Sequence, residues 1–175
     1  MIKPADGEYN PYYKSYIDSI PSQDPLGELE VNRHLLHCYV GKLPREIGDY
    51  RYADGKWTVK EVLIHLMDVE RVMAYRALMI ARGDEHPIQS FDDAMFVANS
   101  EAKKRSLEQI VAEYDALRVS TITFFKGLTD EQLALSKDMG EYRLSVRALA
   151  YIIAGHELHH LGVLKERYFG KVLNL

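Results

Sequence analysis

His156-Glu157-Leu158-His159-His160 spells H-E-x-x-H, the pattern carried by the helix of zinc metalloproteases. Two histidines four apart lie one above the other on a helix face, so both can offer ring nitrogens to one metal ion. A metal site needs at least a third protein ligand, and a protease of this kind finds it downstream. Only 15 residues follow His160, with Glu166 their one acidic residue and no histidine among them. A third ligand must therefore come from earlier in the chain, where His65 is the best candidate. That requirement takes the chain out of the protease class.

His65 belongs to a strongly patterned segment. Thr58 with Glu61 three residues on forms a capping box, which starts a helix expected to run to about Arg82 and stop at Gly83. Val62, His65, Leu66, Val69, Val72 and Met73 follow the i, i+3, i+4, i+7 spacing of a core-facing stripe, so His65 points inward. The pair lies on a similar stripe, Leu149, Ile152, Ile153, His156, His160, Val163 and Leu164, in a helix expected from Ser145 to about Phe169 and closed by Gly170. Two further long helices are expected, from Leu26 to Leu43 before Pro44, and from Ser106, capped with Gln109, to Lys126 before Gly127. Shorter helical turns are expected near Ala94–Ala98 and after Thr129. Ser136 to Arg143 is expected as a polar connection.

Four amphipathic helices with no alternating strand pattern read as an all-α four-helix bundle in one domain, residues 25–175. The second-to-third and third-to-fourth connections are too long for simple hairpins and imply a crossover. Residues 1–24, with Pro4, Pro11, Pro21 and four tyrosines, read as an irregular N-terminal arm that covers the site or a partner surface.

Composition narrows the partners. With 175 residues and a net charge of −4, the chain lacks the basic surface that nucleic acid or an anionic membrane demands. The opening stretch has no apolar run of the secretory type, and the lone Cys38 fits a reducing compartment, so a cytoplasmic location is expected.

A single histidine on an apolar stripe is ordinarily a core residue bonded to a carbonyl. Three inward histidines on two helices are different, because each unsatisfied buried ring costs about 1–3 kcal/mol and one shared ion satisfies all three. Three neutral nitrogens suit Zn, Ni or Fe(II) and leave a coordination position open. Glu157 and Asp68 are the candidate catalytic carboxylates, Glu157 by analogy with the protease helix and Asp68 because it shares a face with His65; Glu61 lies one turn before. His159 flanks the pair and is expected to hydrogen-bond rather than ligate. His34, His37 and His86 lack ligand spacing, and Cys38 reads as a small core residue.

Trp57-Thr58-Val59-Lys60-Glu61-Val62-Leu63-Ile64-His65-Leu66-Met67-Asp68-Val69-Glu70 and Gly155-His156-Glu157-Leu158-His159-His160-Leu161-Gly162 resemble the two histidine segments of the DinB/YfiT-like superfamily of metal-binding bundles. Weaker likeness covers Gly83 through Phe91-Asp92-Asp93 and Leu144 through Leu149. The resemblance implies an up-down-down-up bundle, often a homodimer, with His65, His156 and His160 holding a divalent metal. It also implies either transfer of a low-molecular-weight thiol such as bacillithiol, mycothiol or glutathione to an electrophile, or metal-dependent hydrolysis. No thiol-recognition motif is visible. The leading expectation is a thiol S-transferase acting on a small-molecule substrate. A hydrolase using the same site, or a non-catalytic metal-stabilised binding module, are the alternatives.

Overall fold

The computed structural model describes residues 1–41 and 44–170, and its order is set by where caps and glycines punctuate the chain. In chain order the α-helices among the described residues are Lys14–Ser19 (α1), Pro25–Val40 (α2), Val59–Ala81 (α3), Asp93–Ala98 (α4), Leu107–Lys126 (α5), Asp130–Ala134 (α6) and Val146–Val163 (α7). Both long capping boxes form: Thr58 Oγ1 accepts from the Glu61 N–H at 3.2 Å while Glu61 Oε2 accepts from the Thr58 N–H at 2.6 Å, and Ser106 with Gln109 repeats the exchange. Glu61 is therefore spent on the cap. Beyond α3 the chain turns at Gly83, whose φ of +70° a side chain would strain. The expected end of the first helix at Leu43 lies outside the described residues.

Helix directions follow from which ends share a core. One apolar cluster joins Leu29 of α2, Val69 to Ala81 of α3, Ile122 and Phe125 of α5, and the first half of α7. The other joins Leu36, Val59 to Met67, Leu107 to Tyr114, and Leu161 to Phe169. Thus α2 and α7 run one way, α3 and α5 the other, giving the up-down-down-up order. Helix α7 packs against α2 and α3, and α5 packs against the same two, so α2 and α3 sit diagonally across the bundle. Because α3 and α5 are parallel neighbours, residues 82–106 must carry the chain back along the bundle, and α4 lies against α3 on that return.

Three local features differ from the sequence reading. The polar connection contains a small hairpin, Ser136–Asp138 (β1) paired antiparallel with Arg143–Ser145 (β2) around Gly140 at φ +89°. Three-residue strands are too short for alternation to register. The last helix widens into a π-helix over Leu164–Phe169, which keeps Leu164, Tyr168 and Phe169 buried and lets the Tyr168 hydroxyl donate to the Trp57 carbonyl at 2.7 Å. Gly170, expected to close the helix, has φ −55° and keeps the right-handed helical conformation.

The third difference is the arm, which is folded rather than irregular. Pro11 opens a 3₁₀ turn, Pro11–Tyr13, where a missing N–H costs nothing, and Asn10 caps it by accepting from the Tyr12 N–H. Helix α1 follows, and Ile17 within it and Ile20 just beyond it are completely buried. Upstream, the Gly7 and Glu8 carbonyls accept from the Arg143 and Ser145 N–H groups along β2, and Glu8 pairs with Arg147. Helix α1 lies directly on α7 at Gly155, where a Cβ would stand 2.0 Å from the Tyr16 carbonyl oxygen. Gly155→Ala is accordingly expected to lift the arm and lower stability by about 1–3 kcal/mol. Urea unfolding gives the magnitude, and faster proteolysis before residue 20 would locate the change. No described helix is long and apolar enough to cross a membrane.

Candidate metal centre

The capping box fixes where α3 begins, and two turns later it presents His65 to α7, whose antiparallel course brings His156 and His160 level with it. One ligand atom from each ring lies within 4.8 Å of the others. Ring centroids are separated by 5.0 Å for His65–His156, 4.9 Å for His65–His160 and 4.6 Å for His156–His160. The Nε2 atoms of His65 and His156 stand 3.1 Å apart. Two nitrogens each about 2.0–2.1 Å from a common ion, at angles between right-angled and tetrahedral, are separated by about 2.9–3.4 Å. The donor set and its spacing therefore fit a divalent metal.

Protonation agrees with that fit. Burial, then the neighbouring rings, pushes the His156 pKa down to about 2 and the His160 pKa to about 3, and burial lowers His65. All three rings are neutral at pH 7, as ligands must be. The sign is clear: as pH falls below about 6.5 the unfolded chain takes up protons that the folded rings refuse, so stability is greatest above that value and is lost as acid is added. Metal-free protein is expected to lose about 1.4 kcal/mol per pH unit for each ring that stays neutral, read from urea midpoints between pH 7 and 5. His156→Ala should flatten the slope.

Around the trio is a pocket of about 270 Å³. Its walls are largely aromatic: Tyr12, Tyr13 and Tyr16 from the arm, Trp57 before α3, and Phe91 from the return segment. Trp57 lies 4.7 Å from His65 between ring centroids, and Tyr16 meets His156 edge-on at 5.5 Å. Burial, then Tyr12, pushes the Tyr16 pKa up to about 12, so its hydroxyl stays protonated. His159 is exposed at the rim, its ring 5.6 Å from Tyr16, and does not join the cluster.

The two carboxylates expected to act there are elsewhere. Glu157 is adjacent to a ligand in sequence, but a one-residue step rotates a helix by about 100° and aims it into the core. There Tyr114 donates to it at 2.5 Å, and Arg118 donates at 2.7 and 2.8 Å. Arg118 also donates to Glu70 at 2.8 and 3.1 Å and to the Leu29 carbonyl. Burial opposes the Arg118 cation, yet the Glu157 and Glu70 charges hold its pKa well above the ordinary value. Asp68 is taken by Arg71 at 3.2 Å and does not line the pocket; burial raises its pKa against the pull of that arginine. Among the described residues the one carboxylate on the pocket wall is Asp93, exposed in the first turn of α4. Its visible signal in the sequence is the Phe91-Asp92-Asp93 triplet at the start of a short helix.

The remaining histidines have other roles. His37 bonds Asp115 at 2.9 Å, His34 stands 3.5 Å from the Cys38 sulfur, and His86 pairs with Asp84 at 2.7 Å.

A bundle with its metal-competent histidines on the second and last long helices has a sequence counterpart, since the profile of the DinB superfamily matches residues 28–164. The chain belongs to the DinB superfamily. A Bacillus licheniformis relative named "Putative metal-dependent hydrolase" is 27% identical over 144 residues, covering 80% of this chain and 81% of the relative. A Geobacillus thermodenitrificans relative of the same designation is 24% identical over 127 residues, 71% of each chain. The solved structure of Bacillus subtilis YfiT, described as a probable metal-dependent hydrolase with an unusual four-helix bundle topology, superposes with a TM-score of 0.74. That match covers 99% of this chain and 94% of YfiT at 18% identity, which establishes a shared fold. The fold shared with YfiT thus takes in the arm, beyond the residues 28–164 matched by the family.

Proposed function

We propose that this DinB protein is a metal-dependent thiol S-transferase that joins a small thiol to a small electrophile. The observation that carries the reading is three neutral imidazoles, two buried and one half-buried, facing an aromatic pocket while the H-E-x-x-H glutamate is locked into the core. A divalent ion held by the three rings, zinc or nickel by donor preference with iron also suited, supplies positive charge that favours the thiolate form of a bound thiol. The protein itself positions and shelters. Trp57 and Tyr16 brace the rings of His65 and His156, and the tyrosine wall keeps water from competing for the electrophile. In the reaction a sulfur–carbon bond forms while the leaving group departs with its electron pair, and the thiol proton passes to solvent. No buried base is required, which suits a site whose nearest glutamate is unavailable.

Hydrolysis is the second reading, and Asp93 favours it. As the one carboxylate among the described residues that lines the pocket it is placed to take a proton from attacking water, and the names of the relatives point the same way. Zinc- and nickel-loaded protein incubated with 1-chloro-2,4-dinitrobenzene separates the two. Conjugate formation that needs both metal and added cysteine supports S-transfer, and dinitrophenol release without thiol supports hydrolysis. Asp93→Asn is expected to leave conjugation within about threefold and to cut hydrolysis by about 10²-fold or more. If metal changes only the melting temperature and neither product appears, the site is a structural or binding module.

A further inference from the structure

Arg76 is on the same helix as His65, three turns further on, and it differs from five arginines around it. Arg33, Arg71, Arg105, Arg118 and Arg147 each face a carboxylate. Among the described residues no carboxylate pairs with Arg76. Its guanidinium rests over the Phe91 ring, 5.3 Å from the centroid, and donates to the Gln89 carbonyl at 2.7 Å and to the Met73 sulfur at 3.6 Å. The Nε–H is buried and meets no acceptor within hydrogen-bond distance among the described residues. A guanidinium with a dry, unmatched donor is pre-set for an anionic oxygen.

Arg76 lines a cavity of about 220 Å³. Gln89, Ser90 and Tyr142 give it polar edges, and Leu144 and Leu149 give it an apolar floor. Tyr13 and Met73 line both this cavity and the histidine pocket, so the two are neighbours across one wall. Tyr13 also faces the guanidinium, which opposes the upward push of burial on its hydroxyl.

We propose that the cavity beside Arg76 is a carboxylate-binding subsite, holding the anionic tail of a molecule whose reacting end sits at the three histidines. Eleven residues of helix separate His65 from Arg76, about 16 Å along the axis, and helical side chains lean back toward the N-terminus. A molecule of about 10–15 Å spans the gap, roughly the length of an extended tripeptide. The chemical class is thus an elongated acid rather than a compact neutral molecule. The placement of the reacting end rests on the S-transfer reading, while the carboxylate subsite rests on Arg76 alone.

The test follows the Arg76 Nε–H resonance in ¹H–¹⁵N spectra of the zinc-loaded full chain, assigned by its absence from Arg76→Gln. Hexanoate is expected to shift it downfield saturably, with hexan-1-ol binding at least about tenfold more weakly. In Arg76→Gln the two probes, followed through the Gln89 and Ser90 amides, should bind alike. An equal response of the Nε–H to acid and alcohol, or a hexanoate response confined to the histidine rings, overturns the proposal. Should conjugation fail while hexanoate still selects Arg76, the reaction class falls and the subsite stands.

Discussion

Arg118→Met is expected to lower the unfolding free energy by about 3–5 kcal/mol, a large share of the roughly 5–15 kcal/mol that holds a domain together. Arg118 is only 1% exposed and stands between Glu70 and Glu157, each 2% exposed. Removing the cation strands two carboxylates in a region where water cannot solvate them. Methionine fills most of the volume, so the loss reports charge rather than a cavity. Adding Glu70→Gln and Glu157→Gln to Arg118→Met should recover most of the deficit, because neutral amides carry no buried charge. Urea midpoints of the single and triple variants decide it. A single variant as stable as the parent would mean that the ion network contributes nothing.

The second large effect is loss of metal in His65→Ala. The parent is expected to retain about one divalent ion per chain through gel filtration, and His65→Ala, His156→Ala and His160→Ala less than about a tenth of that, since even groups that merely orient a ligand commonly change metal affinity by 10–100-fold. His159→Ala should keep its ion, because that ring sits at the rim. Zinc at about a hundred times its dissociation constant should stabilise the parent by about 2.7 kcal/mol and leave the three variants unmoved. Elemental analysis beside melting curves with and without zinc reads both quantities. Retention of metal by His65→Ala with loss in His159→Ala would reverse the ligand assignment.

How much of this was legible in the sequence depended on the range of each interaction. Thr58, Glu61, Ser106 and Gln109 are local signals, and the caps they form are where the sequence placed them. The histidine cluster was legible because 3.6-residue periodicity puts His65, His156 and His160 on inward faces, and few partners can satisfy three inward imidazoles. Glu157 was misjudged for a physical reason. A helix fixes the direction in which a side chain leaves, but what waits there, Arg118 from another helix, is set by tertiary packing. Asp68 failed likewise, because its face of α3 is shared by Arg71 one turn on. The folded arm was hidden because its prolines look like breaks, whereas Pro11 starts a turn and the docking groove exists only once Gly155 is opposite Tyr16.

That close approach has a kinetic consequence. Tyr12, Tyr13 and Tyr16 belong to the first 16 residues of the chain and His156 and His160 to the last 20, so the pocket is closed by contacts about 140 residues apart. During synthesis the arm emerges before α7 and must wait, unsheltered, until that helix has left the ribosome. Such long-range closure slows folding and places capture of the ion at its end rather than its beginning.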